Sequence, residues 1–223
     1  IEFIDIKPFI LQNREINKEL LFKLINEYDF DKKFTKFITY FNKETYTFNT
    51  TALNNILQDK YNPRDEESEN DEIPSNLSYY NYTFRVEDRI VRTENDYSSD
   101  KMRANGEEAE IIEFDGKYVT IRYKDEKETE QIGINELYDN FILNYSINIH
   151  KSQGSQYTNV VFFIEPNQSF IISKSSVYTA ISRAKERCII ISNMEDFIEC
   201  QKNTKNDEKK VSLFMRESNS YEL

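Results

Sequence analysis

Two short apolar runs, Val160 to Glu165 and Cys188 to Ser192, flank a stretch of helical character, Ser175 to Lys185. Rich in Val, Ile and Phe and too short for helices, both runs read as strands. A helix that joins two such strands forms a crossover, and a crossover places them parallel in one sheet. That unit commits the chain to an α/β fold built on a parallel sheet.

The first ~60 residues continue the pattern. Glu15 to Phe30 carries Ile16, Leu20, Leu21, Leu24 and Ile25 at helical spacing, so one stripe is buried. Phe37 to Phe41 reads as an inner strand, and Thr51 to Tyr61 as a helix that buries Leu53, Ile56 and Leu57 before Pro63 stops it. The order strand, loop, helix sets Asn42 and Lys43 at the carboxyl end of a strand, where open α/β sheets bind ligands.

From Tyr82 to Asn140 the character changes to short strands: Asp88 to Thr93, Glu108 to Phe114, Tyr118 to Tyr123 and Glu128 to Ile134. Gly116 and the pair Asn105-Gly106 mark turns between them, which suggests a small inserted β-barrel. The expected boundaries are residues 1–80 and 144–200 for the two parts of the α/β domain, 81–143 for the barrel, and 201–223 for a polar tail. A helix-like approach is expected to end at Lys151 before a loop around Gly154, and a short helix to start at Met194.

Composition narrows the class. With 38% hydrophobic and 31% charged residues the chain is globular rather than disordered. A net charge of −11 argues against a protein that coats nucleic acid with its whole surface, though not against a local basic track. Much of the acidity lies in the run Asp65 to Glu72, read as a solvated loop. Two cysteines and one histidine make a disulfide framework or structural metal unexpected. The start lacks the features of a signal peptide, and no run approaches a membrane span, so the chain reads as intracellular. It also begins without methionine, at a residue that looks like the middle of a strand, which suits a fragment of a longer protein.

The chemistry concentrates in two stretches. In Ser146 to Tyr157, His150, Lys151 and Ser152 precede Gly154, where a missing Cβ allows a tight turn or close approach to a ligand. In Tyr178 to Lys185, Arg183 stands among small residues, and its guanidinium offers a permanent charge in a fixed fork of donors.

These two stretches resemble the fifth and sixth motifs of superfamily 1 DNA helicases, in the form found in the alpha subunit of bacterial exodeoxyribonuclease V and its relatives. Asn42-Lys43 with Leu53-Asn54 resembles the fourth motif region, and Val86 to Tyr97 the approach to a small barrel inserted in the second motor domain. The likeness spans roughly residues 36 to 192.

The resemblance implies a RecA-like motor domain, termed 2A, with an SH3-like barrel, 2B, inserted in it. It implies that Arg183 is the arginine finger, the catalytic residue here. ATP-site roles fall to Gln153, which links the nucleotide to the DNA track, to Gly154, to Lys43, and to Gln156. Gln156 stands where the family usually has a glutamate for sugar contact, so the charge is lost and an acceptor kept. DNA contacts fall to His150, Lys151, Ser152 and Asn42. Tyr97 and Tyr157 are the candidates for base stacking.

The sequence has no Gly-x-x-x-x-Gly-Lys-Ser/Thr element and no Asp-Glu pair after an apolar strand ahead of these motifs. In the family both belong to the first motor domain, which would therefore be needed in cis. ATP and Mg2+ are expected cofactors of the intact protein. The isolated chain is expected to hold neither and to be inactive. Expected partners are single-stranded DNA, duplex junctions and repair or replication proteins, with 5′ to 3′ translocation and no membrane. The alternative is a noncatalytic nucleic-acid-binding or protein-docking module derived from a helicase.

Overall fold

The computed structural model describes residues 1–42, 46–64, 72–73, 83–97 and 102–204. In chain order its strands are β1 (Glu2–Ile4), β2 (Thr35–Thr39), β3 (Glu72–Ile73), β4 (Phe84–Arg85), β5 (Arg89–Arg92), β6 (Glu108–Phe114), β7 (Tyr118–Tyr123), β8 (Glu130–Gly133), β9 (Phe141–Leu143), β10 (Ser146–Asn148), β11 (Tyr157–Phe163) and β12 (Ala184–Ile191). Its helices are α1 (Lys18–Glu27), α2 (Thr50–Tyr61), α3 (Ile134–Asn140), α4 (Lys174–Ile181) and α5 (Met194–Lys202). The chain divides into two units, residues 1–50 with 147–223 and residues 51–146.

The first unit is built on a five-stranded sheet of order β1-β12-β11-β2-β10. β1, β12, β11 and β2 run parallel, as the α4 crossover between β11 and β12 requires. Val161 is level with both Ile189 and Phe37. Alternate residues of β11 serve opposite faces. Phe162 joins Ile38, Ile190, Val177, Ala180 and Cys200 in one cluster, whereas Phe163 stacks on Phe48 at 4.5 Å and on Phe37 at 6.5 Å. Both faces are therefore apolar, and the strand appears in sequence as an unbroken hydrophobic run.

Side-chain caps set the helix limits. Asn17 accepts from Leu20 N–H, Ser173 from Ser176 N–H and Asn193 from Asp196 N–H, starting α1, α4 and α5. The expected helix 15–30 is thus shortened to α1, with Asp29 beyond it at φ 51°. The expected helix 175–185 also ends early, because the chain turns at Ser182–Arg183 to bring Ala184 level with Tyr157 in the sheet. The helix-like approach to Lys151 is instead the short strand β10, whose side chains are all buried, followed by turns.

The second unit holds α2 and an antiparallel sheet of order β8-β7-β6-β5-β9. β5 to β8 form a meander, and α3 then returns the chain so that β9 pairs with β5. Asp115 shapes the β6–β7 turn by accepting from Lys117 N–H at 2.8 Å and Tyr118 N–H at 2.6 Å, with Gly116 at φ 90°. Those two bonds hold the Asp115 carboxyl below its ordinary pKa. The ladder leaves β8 and β9 as its edges.

Buried polar side chains tie this unit together. Asp88 is fully buried and accepts from Gln58 Nε2 (2.5 Å), Arg85 N–H (2.7 Å), Asn62 Nδ2 (2.8 Å) and the Tyr145 hydroxyl (2.8 Å). Asn54 donates to the carbonyls of Leu143 and Ser146 and accepts from Ser146 N–H at 2.7 Å. These contacts group α2 with the antiparallel strands, so the unit begins at Thr51, whereas the sequence reading began the insertion at residue 81. The acidic run 65–71 and the tail from 205 lie outside the described residues; positions 201 and 202 continue α5. Among the described residues no helix is long and apolar enough to cross a membrane.

Candidate functional site

β10 delivers the chain into the first motif stretch. Ile149 N–H bonds to Thr39 O at 2.8 Å, fixing the strand's end beside the end of β2. Asn148 Oδ1 then accepts from Lys151 N–H at 2.8 Å and Asn148 O from Ser152 N–H at 3.1 Å, which closes one tight turn. Gly154, at φ 88°, ends it in a conformation that disfavours any residue with a Cβ. His150 and Lys151 are exposed on this turn, and the His150 ring meets the Tyr40 ring edge-on at 5.5 Å.

Ser152 differs from the expectation. It is fully buried and donates its hydroxyl to Ile149 O at 2.6 Å, so it locks the turn instead of facing a DNA phosphate. Asn42 is exposed after β2 and accepts from Asn148 Nδ2 at 2.7 Å, which joins the fourth-motif region to this turn. Lys43 lies outside the described residues. Thr47 and Phe48 are anchored by Glu165, whose carboxylate accepts from their N–H groups at 3.2 Å and 2.9 Å. Gln153 and Gln156 are exposed.

Arg183 occupies the turn between α4 and β12 and is partly buried. Its backbone carbonyl accepts from Tyr157 N–H at 2.8 Å. Its guanidinium donates to Ser155 O at 3.1 Å, Thr179 O at 3.3 Å and Ser182 Oγ at 3.1 Å. All three acceptors are neutral, so these bonds orient the cation without cancelling its charge. The two motif stretches, more than twenty residues apart in sequence, therefore meet through one side chain.

The family described as the UvrD-like helicase C-terminal domain matches residues 143–191, the span from the end of β9 to the end of β12. Residues 143–191 are therefore similar to the C-terminal domain of UvrD-like helicases. The chain is 31% identical over 103 residues to an ATP-dependent RecD2 DNA helicase of Deinococcus radiodurans, covering 46% of this chain and 14% of that protein. It is 33% identical over 63 residues to the RecBCD enzyme subunit RecD of Buchnera aphidicola, covering 28% and 10%. A solved Pif1 helicase from Bacteroides, in complex with ADP-AlF3 and single-stranded DNA, aligns with a TM-score of 0.49 and 16% identity over 83% of this chain and 46% of that one. The chain thus spans a small part of the curated relatives it matches.

Several residues that shape the two turns carry no signal in the sequence. Asn148 and Ser155 act through a side-chain cap and a backbone carbonyl, and neither signal stands out in a polar stretch. Lys36 is 1% exposed in β2 with its ammonium 5.3 Å from the Tyr157 ring centre, a placement that a strand lysine does not announce. Tyr157 is accordingly half-buried against Lys36, while Tyr97, in the other unit, is exposed with its hydroxyl accepting from Asn95. Among the described residues no group of three or more His, Cys, Asp or Glu is arranged to hold a metal ion.

Proposed function

We propose that the protein containing this domain is an ATP-dependent DNA helicase that moves 5′ to 3′ on single-stranded DNA and parts the duplex at a junction. In this reading the α/β unit is a RecA-like second motor domain, and the antiparallel unit is its small SH3-like barrel. The phosphate-binding loop and the Mg2+ ligands, which this sequence lacks, belong to a first motor domain in the same protein. The sequence likeness to RecD2 and RecD supports the reading, and one contact carries it: Arg183 Nη1 on Ser155 O at 3.1 Å.

That contact gives Arg183 two positions with different consequences. Held on Ser155 and Thr179 it ties the loop 153–156 to the end of α4. Turned toward a terminal phosphate, it brings a full positive charge to oxygens whose negative charge grows as the phosphoryl group leaves. Exchange between these positions alters what holds the loop that continues into Gly154, Gln153 and the exposed Lys151. Nucleotide state is thereby linked to grip on the DNA backbone, as a motor requires.

The test is Arg183→Ala in the intact protein, measured by single-turnover ATP hydrolysis with saturating single-stranded DNA. A finger acts mainly on the transition state, so turnover should fall by ~10³-fold or more while nucleotide and DNA affinities stay within a few fold. Hydrolysis near the parent rate refutes the assignment and the function built on it.

A further inference from the structure

Asn148 is 6% exposed, and both ends of its side-chain amide are used. Oδ1 accepts from Lys151 N–H at 2.8 Å, and Nδ2 donates to Asn42 Oδ1 at 2.7 Å. One buried amide therefore fixes the backbone beneath Lys151 and also holds the side chain of Asn42, which comes from a distant part of the sequence. Both Asn42 and Lys151 are exposed. The ring of His150, between Asn148 and Lys151, is braced on Tyr40, two residues before Asn42.

We infer that Asn148 is a positioning residue that presets Lys151 and Asn42 to bind the phosphate backbone of a single nucleic-acid strand. The inference rests on the reading that this turn faces DNA. A lysine on a loose loop must give up chain freedom when it meets a phosphate; one whose backbone is already fixed gives up less. Asparagine suits both tasks because one amide carries an acceptor and a donor on a planar head. Serine at this position keeps a capping acceptor for Lys151 N–H but is too short to reach Asn42.

The test measures affinity for a labelled oligothymidylate as a function of NaCl concentration, on the full protein and on Lys151→Ala, Asn148→Ala and Asn148→Ser. Lys151→Ala should lower the log–log salt slope by about 0.7, the value for one phosphate contact on a single strand. Asn148→Ala should lose affinity by about fivefold or more and move its slope toward that of Lys151→Ala. Asn148→Ser, which keeps the cap, should retain the parent slope and lose affinity through Asn42 alone.

Parent affinity and slope in Asn148→Ala, beside a lowered slope in Lys151→Ala, overturn the positioning role and leave the DNA reading standing. So does a lowered melting temperature with the salt slope unmoved. If Asn148→Ala does not fold, Asn148→Ser decides: parent affinity there overturns the proposal. An unchanged slope in Lys151→Ala removes the DNA reading itself, and the inference falls with it.

Discussion

Replacing Asp88 by alanine takes the common acceptor away from four donors at once. Gln58 Nε2 keeps a second acceptor in Thr83 O and Asn62 Nδ2 one in Val86 O, both at 2.8 Å. The Tyr145 hydroxyl and Arg85 N–H lose the acceptor they have at 2.8 and 2.7 Å. At ~1–3 kcal/mol for each buried group deprived of its partner, the cost is ~2–6 kcal/mol. Asp88→Asn keeps one oxygen and the shape, so it should cost less. Burial pushes the Asp88 carboxyl above its ordinary pKa, against the opposing pull of Asn62, Arg85 N–H, Tyr145 and Gln58. A raised carboxyl binds its proton more tightly folded than unfolded. Its contribution is full below the unfolded pKa and is lost as pH rises through the folded one. The stability gap between parent and Asp88→Asn should therefore narrow as pH rises from about 4 toward neutrality. Equilibrium urea unfolding followed by tyrosine fluorescence measures both effects. A loss under ~1 kcal/mol for Asp88→Ala, or a gap that widens with pH, refutes the account of this buried cluster.

Gly154→Ala should destabilise by about 1–2 kcal/mol, because φ 88° is costly for an L residue while the space around a new Cβ is empty; thermal melting checks this, and a cost near zero would mean that the turn relaxes freely. Burial pushes the Cys188 thiol up to about 11; burial, followed by nearby Asp196, pushes that of Cys200 up to about 12. At pH 8 both should react with a maleimide slowly until the protein is unfolded, and rapid labelling of the folded protein would contradict their placement.

Legibility in the sequence followed the range of the forces involved. β6 and β7 have the bounds that alternation and the Asp115-Gly116 turn gave them, since both signals are local. The crossover from β11 through α4 to β12 was equally plain, because strands buried on both faces show as apolar runs. Arg183 stands out in the sequence as a cation among small residues, but its tie to Ser155 needs the turn after α4 to bring β12 level with Tyr157. The strand nature of β10 does not show in the sequence, because three buried residues carry no periodicity and a polar turn follows at once. Nor could local pattern show that α2 belongs with strands some thirty to ninety residues ahead, since Gln58 and Asn54 make that connection by side-chain bonds.

Asn54 stands four residues after Thr50, and its side chain grips both backbone groups of Ser146, the last residue of the second unit. The two ends of that unit are consequently held within one side chain's reach of each other. A unit whose ends adjoin can be closed on itself by a short join. The same closeness permits a permuted version, with old ends joined by a few residues and new ones cut at Gly116, to keep every ladder but one turn.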